Sequence, residues 1–199
     1  MEELKSAIRP FKVSAHYKQS LKDGTEYYRV TLQSEFKSAG STNTDAVFNV
    51  GSVFPNLRAD LMNGRWYAFL ENFHGVSLET QIAKGHIKVC LPGIIQNSHD
   101  FVMTARDVCQ VSDTLAHVPI PFVSHPDDSV DILPIVFSQE ITDASVGKQI
   151  NPTNLFTGEL RVVMRNEDHS TIEVDDVAGT PHWHSNEKWT ATILFVHHK

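Results

Sequence analysis

The sequence predicts an all-β antiparallel sandwich, and three observations carry that prediction. Apolar and polar residues alternate with a period of two, Gly- and Pro-bearing turns recur between the alternating segments, and helical periodicity is scarce. The chain has 199 residues, 41% hydrophobic and 21% charged, a length and an apolar share that suit one globular β domain. No stretch alternates a strand with a helix of about 10–15 residues, which disfavours a doubly wound parallel sheet.

Eight strands are expected. In 27–36, Tyr28, Val30, Leu32, Ser34 and Phe36 share the inner face, opposite Arg29, Thr31, Gln33 and Glu35. The segment 46–51 follows a polar Gly/Ser/Thr/Asn turn. In 64–73, Trp66, Ala68 and Leu70 lie on one face, with Tyr67, Phe69 and Phe73 on the other. In 86–91, Ile87, Val89 and Leu91 point inward. The segments 100–105 and 131–138 are the next two. In 159–165, Leu160, Val162 and Met164 oppose Arg161 and Arg165. The last strand, 188–197, has Trp189, Ala191, Ile193 and Phe195 on one face and Leu194 and Val196 on the other.

The separators carry turn chemistry: Asp23-Gly24, Gly40-Ser41-Thr42-Asn43, Asn63-Gly64, Pro92-Gly93, Pro126-Asp127-Asp128 and Gly179-Thr180-Pro181. Short helical turns are expected at 1–8 and 55–62. Eight short strands over about 170 residues suggest an eight-stranded antiparallel jelly roll at 21–199, with 1–20 as a short N-terminal arm.

Two strands carry apolar residues on both faces, and an antiparallel sandwich normally wets one face of each sheet. Their second face needs a cover: a loop, the arm, or another subunit. Tyr67, Phe69, Phe73, Leu194 and Val196, together with Phe11 and Tyr17 of the arm, are therefore the candidate interface residues. The arm suits binding by strand addition or by ordering on contact.

Composition excludes several functions. No apolar run reaches the roughly 18–20 residues that span a bilayer, so no transmembrane segment is expected. Residues 1–15 lack the layout of a signal peptide, and classical secretion is not expected. The net charge of −7 argues against a protein whose main task is gripping nucleic acid. Cys90 and Cys109 lack CxxC spacing and read as free thiols. Cys90 falls on the face of His86 and Lys88, which would activate its thiol if they were close; a plain outward thiol is the simpler expectation.

The densest group of candidate ligands is Pro181-His182-Trp183-His184-Ser185-Asn186-Glu187. On a strand His182 and His184 would point the same way and could chelate a metal, with Glu187 beside them. The pattern is similar to the His-x-His…Glu motif of cupins, themselves jelly rolls, but Gly179 lies too near and Glu187 comes too soon. Surface histidines are the plainer reading, so no metal site and no cofactor are expected. Asp127-Asp128-Ser129-Val130-Asp131 lacks the ligand count of a calcium loop. No phosphate loop and no nucleophile elbow occur, so no catalytic residues are assigned and no enzyme is expected.

The run Tyr28-Arg29-Val30-Thr31-Leu32, the turn 40–45, Ala46-Val47-Phe48-Asn49-Val50, Arg65-Trp66-Tyr67-Ala68-Phe69 and Trp189-Thr190-Ala191-Thr192-Ile193-Leu194-Phe195 together resemble single jelly-roll minor capsid or penton-type proteins of large eukaryotic DNA viruses. The resemblance spans most of 27–196 and is one of strand and turn pattern. It implies a structural role in a virion, assembled inside the host cell, with other capsid proteins and copies of itself as partners. It transfers no catalytic residue. The alternatives are a cupin-like metal enzyme using His182, His184 and Glu187, and a carbohydrate- or ligand-binding β-sandwich in which an exposed Trp183 or Tyr67 would stack on a sugar.

Overall fold

The computed structural model describes residues 25–51, 64–75, 86–95, 101–103, 109–124, 130–132, 134–141, 147–156, 158–172 and 188–198. Among them are two antiparallel sheets and almost no helix, as a β-sandwich requires. Sheet A runs β1 (Thr25–Gln33), β13 (Trp189–His198), β3 (Arg65–Gly75), β10 (Ile135–Ser138), with β11 (Lys148–Ile150) also pairing with β3. Sheet B runs β2 (Asp45–Asn49), β12 (Glu159–Arg165), β4 (His86–Cys90), β7 (Thr114–Pro119). Two small hairpins stand apart from these sheets: β5 (Phe101–Met103) with β6 (Cys109–Val111), and β8 (Phe122–Ser124) with β9 (Val130–Ile132). A short helix, α1 (Thr153–Phe156), precedes β12. No helix among the described residues is long and apolar enough to cross a membrane.

The inward positions follow the alternation. Ile87, Val89 and Leu91, then Leu160, Val162 and Met164, then Trp189, Ala191, Ile193 and Phe195 are all buried in one core shared by the two sheets. Removing each such large side chain from water stabilises the fold by about 1.5–3 kcal/mol. Phe48 of sheet B meets Trp189 of sheet A edge to face at 5.8 Å, and Phe73 stacks on Trp189 at 5.9 Å. The Trp189 indole is satisfied as well, since Nε1 donates to the buried Asn43 carbonyl at 2.6 Å.

Several expectations are corrected. Phe36 is 73% exposed rather than inward, because β1 stops at Gln33 and a 3-10 turn over Ser34–Phe36 breaks the alternation. The stop is fixed by Ser34, whose Oγ accepts a hydrogen bond from the Trp189 amide at 3.0 Å. Phe73 is not on the face of Tyr67 and Phe69. The register of β13 against β3 slips between Thr192 and Ile193, leaving Glu71 as an extra residue, and this bulge turns Phe73 fully into the core.

The segment 131–138 is two strands, β9 and β10, on either side of Pro134, which has no amide to give to a ladder. The segment 100–105 contributes only the three residues of β5, which pairs with β6 and joins neither large sheet. The place beside β4 belongs instead to β7, an element not expected from the sequence. A second register slip, between Val89 and Cys90, leaves Leu115 extra in β7 and buried beside Val118, so the run does not alternate cleanly. The arm 1–20 and the expected turns at 1–8 and 55–62 lie outside the described residues.

Candidate functional site

Two surfaces deserve chemical scrutiny, the outer faces of the two sheets. On sheet A the pairing registers set Tyr27, Val196, Tyr67 and Gln149 in one row and Arg29, Leu194 and Phe69 in the next. Leu194 and Val196 are 1% and 5% exposed, so this face is covered over its middle strand, while Tyr67 and Phe69 are half-buried. Part of the cover is an ion pair: Arg29 of β1 and Glu71 of β3 meet across β13. The Phe69 ring also packs so closely on Gly147 that a Cβ there would stand 2.4 Å from Cζ. Phe11, Tyr17, His182, Trp183, His184 and Glu187 lie outside the described residues.

The outer face of sheet B is polar and densely titratable. Arg165, Lys88 and His117 form a row across β12, β4 and β7, with His86 opposite Pro119 one step further along. The His86 and His117 rings are 4.8 Å apart. Lys88 is buried, and its Nζ donates to the Glu167 carbonyl at 2.5 Å. Arg165 Nη2 donates to Asp113 Oδ2 at 3.1 Å. The chain then turns back over this face, with Arg165 bridged to Thr171, and brings His169 in.

Electrostatics here are dominated by burial among cations. His117 is exposed on the outer face, yet partial desolvation, then His86 and Lys88, hold it below the ordinary histidine range, against a smaller opposing pull from Glu167. Burial, Lys88 and Arg165 do the same to His169. Lys88 is itself lowered, mainly by burial. Cys90 is neither activated nor outward. It is fully buried, and burial with the nearby Asp113 carboxylate pushes its thiol up to about 12, which keeps it unreactive.

Nearer the sheet edge, Arg161 grips Asp45 with two hydrogen bonds, at 2.7 and 2.5 Å. Among the described residues no group of His, Cys, Asp and Glu is arranged to hold a metal ion. The histidine cluster was not legible as a site, because His86, His117 and His169 come together only through strand pairing and a hairpin turn far apart in sequence.

Comparison with known protein families, with characterised proteins and with solved structures found no match to this chain.

Proposed function

We propose that the chain is a single jelly-roll domain serving as a structural component of a DNA-virus capsid, a minor capsid or vertex protein that works through protein–protein contacts. One observation carries the reading. Taken in chain order, β1 pairs with β13, β2 with β12, β3 with β10 and β4 with β7. Among the eight strands of the two main sheets, with β11 and the two small hairpins set aside, first pairs with last, second with second-last, and so on inward, as in one long hairpin rolled up on itself. Such a roll is the architecture of jelly-roll capsid and lectin domains and of cupins.

Between those classes, the interior supports the structural reading. Among the described residues the inward positions are filled by Trp66, Phe73, Phe195, Ile87 and Leu160, all fully buried, as in a packed wall. The half-buried Tyr67 and Phe69 are the part of sheet A offered to neighbouring subunits. Their aromatic rings suit a contact that is apolar at its centre.

Light scattering on the size-separated full chain, with proteomics of purified particles, tests the reading. An oligomer and enrichment in the particle fraction are expected. A strict monomer at all concentrations, absent from particles, overturns it. So does roughly stoichiometric iron, zinc or manganese in the untagged protein, which would favour the His182, His184 and Glu187 alternative.

A further inference from the structure

The turn that closes over sheet B is built around an unusual residue. Asn166 N donates to Ser170 O and His169 N to Asn166 O, both at 3.0 Å, while Asp168 Oδ1 accepts from the Ser170 amide and hydroxyl. The loop between is Glu167-Asp168-His169, and three-residue loops of this kind place their last residue in the left-handed region, where glycine is the usual occupant. Here it is His169, at φ 66°, the one non-glycine residue with positive φ among the described residues. A backbone position that disfavours a side chain, yet carries one, points to a use for that side chain.

The ring is turned into the fold: His169 Nε2 is buried with no hydrogen-bond partner, and so is Nε2 of His86. Charged and titratable groups surround this cluster from every neighbouring element. β4 contributes His86, Lys88 and Cys90, β7 contributes His117, β12 contributes Arg165, and Asp113 precedes β7; the turn itself adds Glu167 and Asp168. The carboxylates are poorly placed to take up added protons' charge. Asp113 is engaged by Arg165, Asp168 by Ser170, and Glu167 and Asp168 are exposed.

We propose that this turn is an acid-opened latch: with His169 neutral it closes over Lys88 and Arg165, and protonation of His169 drives it off. His169 leaves Lys88, Arg165 and His117 when the turn opens and regains the ordinary histidine affinity for protons, so the open state binds more protons than the closed one. Closure is therefore strongest above about pH 6.5 and weakens as the pH falls below it, by up to about tenfold per pH unit.

Amide hydrogen exchange on the full chain at about pH 7.5 and about pH 5.5 tests this, with rates referenced to intrinsic exchange. Protection of the Asn166 and His169 amides is expected to fall severalfold, up to about tenfold, while that of Val162 and Met164 in the core holds. In a His169→Gly variant, whose glycine suits the backbone at 169, protection at the higher pH is expected to persist and most of the fall to vanish. Unchanged protection in the parent, an equal fall in the variant, or loss of core protection together with the turn would each overturn the latch.

Discussion

Arg29 on β1 and Glu71 on β3 form a bidentate ion pair, Nε to Oε2 at 2.6 Å and Nη2 to Oε1 at 2.7 Å, although β13 runs between their strands. Arg29 is in register with Leu194, and Glu71 is the bulge residue beside Leu70, so the pair closes over β13 at the level of Leu194. It does two jobs at once. It ties three strands together on their outer side and shields a leucine that the alternation directs away from the core.

The coupling between Arg29 and Glu71 is expected to be modest. Both groups remain partly exposed, 35% and 20%, so a double-mutant cycle with Arg29→Ala and Glu71→Ala, read by urea unfolding, should give about 0.5–1 kcal/mol. Additive single substitutions would show that the pair contributes nothing to the fold.

Trp189 is the more costly position. Trp189→Phe removes the indole N–H that donates to the buried Asn43 carbonyl and opens space between Phe48 and Phe73. The unfolding midpoint should drop by an amount corresponding to about 2–4 kcal/mol. A loss below about 0.5 kcal/mol would mean that the core closes around the smaller ring.

Cys90 should resist thiol reagents. With its thiol pushed up to about 12, little thiolate exists in the native state at mildly alkaline pH. In a Cys109→Ser background, labelling near pH 8.5 is expected only at the rate of unfolding. The fold favours the protonated thiol, so the stability this confers is complete below the ordinary thiol range and declines as the pH rises from there toward 12.

The Arg161 guanidinium holds the Asp45 carboxyl below the usual carboxylate range. A depressed acid stabilises the fold above its unfolded pKa and ceases to do so as the pH falls through its folded one. Asp45→Asn should therefore flatten the acid limb of the stability profile below about pH 4, a change read from thermal midpoints across pH.

Gly64 sits at φ 110°, where a Cβ would stand 2.4 Å from the His198 carbonyl oxygen. Gly64→Ala is expected to destabilise by about 1–3 kcal/mol through strain at the start of β3 and the end of β13. A neutral effect in thermal unfolding would show that this corner yields freely.

Alternation along single strands determined much of this protein: the all-β class, and the inward set Val30, Leu32, Trp66, Ala68, Leu70, Ile87, Val89, Leu160, Val162, Ile193 and Phe195, every one of which is buried. A side chain's face is a local matter of period two, so it can be read before any partner is known. Phe73 and Leu115 escaped that reading because a bulge arises between two strands and has no mark in either alone. Tertiary pairing also decided the order of the strands, the burial of Cys90 and Lys88, the shield over Leu194, and the meeting of His86, His117 and His169. Each of these depends on contacts between segments distant in the chain, whose geometry exists only once the two sheets have formed and faced each other.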